Sequence, residues 1–224
     1  MNNAKTVVVI PALNEEKTIG NVVESARKFA ETVIIVDDGS SDETAEIASK
    51  AGAIVVRNEK NLGYDASIEK GFEKAVKEDN LVIITMDADG QHFAEDIPKF
   101  TTPIFEGKAD IVMGIRDTVP RFSEKIFRIY FSRFGIRDPL CGFKAYKANV
   151  FIQEEFFDSL NLIGTELVLI SALKGRKIMQ VKIKTRKRSD KPRFGSSVKA
   201  NLKILYVLMK IIVRYGFKRR KNRN

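Results

Sequence analysis

Asp87 and Asp89 stand one residue apart in the stretch LVIITMDADGQHF, directly after an apolar run at residues 81–86. Two carboxylates this close repel each other, and charge at the edge of a core is costly unless something compensates it. While the chain stays extended, Asp87, Asp89 and Gln91 leave one face about 6–7 Å apart per step. That spacing fits a divalent cation between oxygen ligands. A hard cation such as Mg²⁺ takes one or two carboxylates and completes its shell with water and substrate phosphate. A strand that ends in a capping Asp and an Asp-Gly turn has the same local pattern. A second acidic pair, Asp37-Asp38, follows another apolar run at 32–36.

Other chemistries are excluded by composition. His92 is the single histidine and Cys141 the single cysteine, so HExxH chemistry, a Cys/His zinc cluster and a disulfide within the chain are ruled out. One cysteine makes a reducing compartment the default. Gly90 comes too early for an EF-hand, and neither a P-loop nor a GxGxxG is present. A nucleotide would have to bind without those phosphate cradles.

The elements that must position these residues follow from apolar periodicity. Strands are expected at 5–10, 32–36, 53–57 and 81–86, and helices at 17–30, 42–51 and 65–78. This alternation, with continuous apolar strands, predicts an α/β protein whose mostly parallel sheet is covered by helices on both faces. Ligands of such sheets bind at the carboxyl ends of the strands, where Asp37, Asp38, Asp87 and Asp89 all fall. The second half is less regular. Strands are expected at 109–113 and 176–184, a strand or turn at 139–146, and helices at 122–134 and 165–174. No repeat and no linker composition divides the chain, which predicts one domain over 1–197 and an appendage over 198–224.

Charge is unevenly placed. The chain carries +10, yet residues 184–224 alone carry 15 Lys/Arg against Asp190, a net +14 that leaves −4 on the rest. Such a tail suits an anionic partner, either nucleic acid or a lipid surface, or simply a solvated end. Stacking on bases needs aromatics among the basic residues. Residues 184–202 hold only Phe194, so nucleic acid is not expected. From 198 the run VKANLKILYVLMKIIVRYGF sets Lys199, Lys203, Lys210 and Arg214 in one narrow helical stripe, with apolar residues around the rest. That pattern suits a helix at an anionic membrane surface. A helix packed on a membrane-protein partner or on a second copy of the chain has the same pattern. The N-terminal residues lack the basic region of a signal peptide, and no apolar run of about 18 residues predicts a transmembrane span.

Five segments in order, VVVIPALNEEKTI, VIIVDDGSSDET, NLGYDASIEKGFEKA, ITMDADGQHFAEDI and DPLCGFKAYK, resemble the family 2 glycosyltransferases of GT-A fold. The likeness is to the subgroup of dolichyl- and polyprenyl-phosphate mannose and glucose synthases, and it spans about residues 5–200. The resemblance implies an inverting, metal-dependent hexosyltransferase using Mg²⁺ or Mn²⁺. Its donor would be GDP-mannose or UDP-glucose, and its acceptor a polyprenyl or dolichyl phosphate. It would lie on the cytoplasmic face, peripherally attached to the membrane. An acceptor hydroxyl of a lipid or glycan is the alternative.

The same resemblance implies roles. Pro11, Leu13 and Glu15 would line the nucleotide pocket, and Asp38, with Asp37, would bond base or ribose. Asn61 and Gly63 would shape the loop beside the nucleotide. Asp87, Ala88 and Asp89 would face the sugar nucleotide, and Asp89 and Gln91, with Asp87 nearby, would hold the metal. His92 matches a position where similar sequences also carry His; capping the next helix is its other reading. Arg116 would reach a phosphate of donor or acceptor, and Arg193, with Ser196, Ser197 and Lys199, would close over the donor diphosphate. Arg121, Arg128, Asp138 and Glu166 would serve the acceptor side, where Cys141 is small and structural.

The chain departs from the pattern at three places. Leu167 stands where many relatives that glycosylate hydroxyls carry an Asp base, which favours an acceptor already ionised. Gln180-Val181-Lys182-Ile183 replaces EVPI, and Asp65 replaces a common Gly.

Overall fold

The computed structural model describes residues 5–77, 82–117, 122–153, 163–186 and 197–216. The first half forms β1 (Thr6–Ala12), α1 (Ile19–Ala26), β2 (Thr32–Asp37), α2 (Thr44–Lys50), β3 (Ile54–Arg57), α3 (Tyr64–Lys77) and β4 (Val82–Thr85). The second half forms α4 (Ile97–Phe105), β5 (Ile111–Arg116), α5 (Phe122–Ser132), β6 (Lys144–Lys147), α6 (Ala148–Ile152), α7 (Ile163–Leu173), β7 (Ile178–Ile183) and α8 (Ser197–Tyr215).

Seven strands make one sheet in the order β3-β2-β1-β4-β6-β5-β7. Every pairing is parallel except those of β6, which runs against both β4 and β5. Alternation along each strand sends side chains to two faces. On β1, Val7 and Val9 join a core with α3, α5, α7 and α8, while Val8 and Ile10 join a second core with α1 and α4. Both faces are therefore dry, which is why the strands read as unbroken apolar runs.

Strand order reverses between β1 and β4, so the crevice at their carboxyl ends is the expected binding place. Reversal of β6 adds a second consequence. Its first residue, Lys144, pairs with Thr85 and Met113 at the same edge of the sheet. The turn that precedes β6 is thereby delivered to the crevice.

Several boundaries differ from the periodicity. β1 runs through Pro11 to Ala12, because the ladder continues beside β2 and the Ala12 carbonyl accepts the Asp38 N–H at 2.8 Å. α1 starts at Ile19, since the Thr18 and Ile19 N–H groups close a turn on the Glu15 carbonyl. Helices α4 and α6 were not legible, the first because Pro103 lies inside it. Pro usually breaks a helix interior.

α8 has two apolar faces. Val207, Leu208 and Ile211 are buried in the core shared with α5 and α7, while Val198, Leu202, Tyr206, Met209 and Val213 are exposed. Polar bonds stitch α8 in place. Asn201 Oδ1 accepts from the Ser123 N–H (3.2 Å) and hydroxyl (2.6 Å), and Tyr130 donates to the Gly216 carbonyl (3.0 Å). Among the described residues no helix is long and apolar enough to cross a membrane.

Gly71 shows how tightly α3 lies on the sheet. A Cβ there would overlap Val9 Cγ1 and press on Val36 Cγ2. Gly71→Ala is expected to cost about 1–3 kcal/mol, read as a lower urea midpoint with unchanged slope.

Candidate active site

The acidic pairs sit where strands end. Asp37 is the last residue of β2 and fully buried. Its Oδ1 accepts the Ser40 N–H (3.0 Å), and Arg57 Nε lies 3.1 Å from Oδ2. Asp38 is also buried, and it organises the next loop. Its carboxylate accepts from Asn58 Nδ2 (2.8 Å), the Leu62 N–H (2.8 Å) and the Gly63 N–H (2.9 Å). Gly63 has φ +95°, a conformation L side chains rarely adopt.

The loop after β1 packs on the loop after β2. Asn14, at φ +50°, gives its N–H to Ser40 Oγ and takes the Ser41 N–H on Oδ1. The buried Glu15 gives its N–H to Thr44 Oγ1 (2.7 Å), and its carboxylate accepts from Thr18. Thr18 also donates to the Ala88 carbonyl (2.8 Å), joining this loop to the DADG turn. Pro11 and Ala88 are buried, Leu13 is half-buried and Asn61 is exposed.

Asp87 is bracketed. Tyr64 donates to Oδ1 (3.4 Å), and His92 Nε2 lies 3.1 Å from Oδ2. Gly142 leaves the space: a Cβ there would overlap the Asp87 carboxylate. Burial pushes this carboxyl up. The His92 bond and the positive charges of Arg116 and Lys144 outweigh it and hold Asp87 below the ordinary carboxylate value. Segment 62–64 thus touches both carboxylates, Asp38 through two backbone N–H groups and Asp87 through the Tyr64 hydroxyl.

Asp89 lines a recess of about 250 Å³ with Thr18, Asn21, His92, Glu95 and Arg186. Its Oδ1 accepts the Gln91 N–H at 3.1 Å. Gln91 is tied to the chain after β7, giving Nε2 to the Arg186 carbonyl (3.1 Å) and accepting the Arg186 N–H on its own carbonyl (2.9 Å). Among the described residues no group of three or more His, Cys, Asp or Glu could hold a metal unaided. Asp87 and Asp89 offer two hard oxygen donors, the set Mg²⁺ or Mn²⁺ uses when substrate phosphate fills the remaining positions.

A buried charge cluster borders this crevice. Arg116, the last residue of β5, grips Asp138 with Nε and Nη2, both at 2.9 Å, and its own N–H adds a third bond at 3.0 Å. Arg116 Nη2 also reaches Glu124 (3.1 Å), and Arg128 Nη2 lies 2.8 Å from Asp138. Burial opposes charge on Asp138, yet the Arg116 bonds and charge, with Arg128, hold its carboxyl below the ordinary range. Lys144, fully enclosed beside this group, donates to the Cys141 carbonyl, and burial lowers its pKa. The Cys141 thiol is buried and pushed up to about 11, so it stays protonated at neutral pH.

Glu166 lies in the first turn of α7, next to Thr165, whose hydroxyl donates to the Pro139 carbonyl at 2.9 Å. It is buried, accepts the Tyr215 hydroxyl, and lies 3.5 Å from Arg214 at the end of α8. Arg121, Arg193 and Ser196 lie outside the described residues, as does most of the basic segment 185–197. Sequence reasoning missed Tyr64, Asn58, Lys70, Lys144 and Arg186. Only Tyr64 had a local signal, its place beside the NLG turn.

The chain belongs to the glycosyl transferase family 2, whose model matches residues 7–159. Its sheet and flanking helices are those of a GT-A fold, and it is a glycosyltransferase. A dolichyl-phosphate hexose transferase of Haloferax volcanii is 31% identical over 81% of this chain and 83% of its own. A UDP-N-acetylglucosamine–dolichyl-phosphate N-acetylglucosaminyltransferase of Methanococcus voltae is 27% identical over 90% of this chain and 94% of its own. A solved structure of Mycobacterium tuberculosis glucosyl-3-phosphoglycerate synthase, holding Mn²⁺, UDP-glucose and phosphoglyceric acid, shares the fold. Its TM-score is 0.75 at 20% identity, covering 93% of this chain and 79% of that one.

Asp138→Asn would leave Arg116 and Arg128 buried without their shared carboxylate, at an expected cost of about 3–5 kcal/mol. The acid dependence follows from the sign. Asp138 titrates lower in the folded chain than its unfolded value of about 3.9. Its contribution is therefore complete at neutral pH and is lost as pH falls through the folded value. Urea midpoints of wild type and variant should differ widely at pH 7 and converge only in acid, once pH has fallen below the lowered folded value of Asp138.

Proposed function

We propose that this glycosyltransferase moves a hexose from a nucleoside diphosphate sugar to the phosphate of a polyprenyl or dolichyl phosphate, with inversion, at the cytoplasmic face of a membrane. The observation that carries the reading is the facing of two charge types across one crevice. Asp87 and Asp89 follow the carboxyl end of β4, and the Arg116–Asp138–Arg128 cluster gathers at the carboxyl end of β5. Carboxylates suit a metal-bound diphosphate, and the neighbouring guanidinium groups suit a second anion.

Asp87, Asp89 and Gln91 would hold Mg²⁺ or Mn²⁺, which supplies charge neutralisation for the leaving diphosphate. Pro11, Leu13, Glu15, Asp37, Asp38, Asn61 and Gly63 would form the nucleotide side. Arg116 and Arg193 would meet phosphate oxygens, and Arg121, Arg128 and Asp138 would order the acceptor side. An acceptor phosphate oxygen attacks the anomeric carbon as the bond to the nucleoside diphosphate breaks, and its electron pair leaves with that diphosphate. A phosphate is already ionised, so no side chain must take a proton. Leu167 in place of an acid agrees with this. So does Glu166, whose carboxylate already accepts the Tyr215 hydroxyl.

Membrane attachment would use the exposed apolar residues of α8, Val198, Leu202, Tyr206, Met209 and Val213, on a helix whose sequence also carries four basic residues. The named relatives that act on dolichyl phosphate support a lipid acceptor.

A panel of nucleotide sugars with polyprenyl phosphate and Mn²⁺ or Mg²⁺ tests this, the lipid product being identified by mass. One sugar–phosphate–lipid product is expected, absent in chelator and restored by metal. Asp89→Ala should lower its rate by about 10²-fold or more. Unchanged turnover in Asp89→Ala would remove the metal assignment, and a product formed only on hydroxyl acceptors would remove the acceptor.

A further inference from the structure

We propose that Gly142 is a positioning residue that acts through Asp87. By having no side chain it sets where that carboxylate stands, so the turn entering β6 fixes one oxygen donor of the cation site. This rests on the reading that a metal-bound nucleotide sugar occupies the crevice.

Gly142 is not among the glycines with positive φ, so its backbone would accept an L side chain. What excludes one is Asp87. The three atoms nearest to a Cβ at Gly142 are Asp87 Oδ2, Oδ1 and Cγ, all in overlap. A clash with the end of a side chain is usually relieved by rotation. Here the carboxylate is held on both oxygens. Tyr64 donates to Oδ1 at 3.4 Å, and His92 Nε2 lies 3.1 Å from Oδ2, so a carboxylate that swings away loses both partners.

The turn is held more firmly still. The Gly142 carbonyl accepts the Thr85 hydroxyl at 2.7 Å. The carbonyls around it are taken as well. Pro139 accepts from the Thr165 hydroxyl (2.9 Å), Cys141 from Lys144 Nζ, and Phe143 from the Gly114 N–H (3.0 Å). These donors come from β4, α7, β6 and β5. Shifting the turn would break bonds to four elements, whereas moving Asp87 breaks two. A methyl group at position 142 therefore displaces the carboxylate, the group a cation would meet.

A double-mutant cycle of Gly142→Ala and Asp87→Ala in the full chain tests the proposal. It has two readouts, the urea midpoint without ligand and the calorimetric affinity for Mn²⁺ with UDP or GDP, whichever the wild type binds. Gly142→Ala is expected to lower the urea midpoint when Asp87 is present and to leave it unchanged beside Asp87→Ala, where the overlap is gone. It should weaken Mn²⁺–nucleotide binding by about 10–100-fold, and add nothing to the loss that Asp87→Ala already causes. Equal effects of Gly142→Ala in the two backgrounds, or wild-type affinity in Gly142→Ala, overturn the inference and leave the nucleotide-sugar reading standing. A Gly142→Ala chain that folds only together with Asp87→Ala supports the inference, and one that folds in neither background overturns it. Binding of neither UDP nor GDP to the wild type removes the nucleotide-sugar reading, and the inference with it.

Discussion

The bidentate pair between Arg116 and Asp138 joins parts of the chain that no local rule brings together. Arg116 ends β5, Asp138 opens the turn into β6, and Glu124 and Arg128 reach in from α5. Removing these charges from water is expensive, and only good geometry with nearly complete hydrogen bonding offsets it. Asp138 meets that condition through three bonds to Arg116 and the close guanidinium of Arg128. Asp138 sits four residues before Gly142, the glycine against which the Asp87 carboxylate lies. The Arg116 charge also acts on Asp87, so the cluster at the end of β5 and the DADG turn are electrostatically linked.

The opposite wall depends on a shorter device. Segment 62–64 gives two backbone donors to Asp38 and a hydroxyl to Asp87. Lys70 and Asn58 continue that chain of bonds from α3. Such a network is preorganised, so little reorientation remains when an anionic ligand arrives. α8 supports the other face from behind, since Asn201 bonds the start of α5 and Tyr215 bonds Glu166 on α7.

Positions that depart from the family pattern acquire physical sense here. Asp65, where many relatives have Gly, accepts the Ile163 N–H at the first turn of α7 at 2.6 Å. An acid at a helix start satisfies an orphan donor and suits the helix dipole. Gln180 brackets the turn after α5, giving Nε2 to the Gly135 carbonyl and taking the Arg137 N–H, each at 2.7 Å. Glu166 matches an acceptor-side acid in sequence, yet its carboxylate accepts the Tyr215 hydroxyl of α8.

The amino-acid sequence by itself determined the α/β class, the covered parallel sheet and the strand-end placement of Asp37, Asp38, Asp87 and Asp89. Those follow from local periodicity, because burial on both faces of a strand writes an unbroken apolar run. It did not determine α4, whose internal Pro103 argues against a helix, or the partners of Asp138 and Glu166. Tertiary structure decided these. Inserting β6 antiparallel between β4 and β5 turns the DPLCG segment back to the carboxyl ends, about 50 residues downstream of DADG. Lys144, Tyr64 and Asn58 became site residues the same way. Their significance is a distance to a carboxylate far along the chain, and no pattern of neighbouring residues encodes a distance that only packing creates.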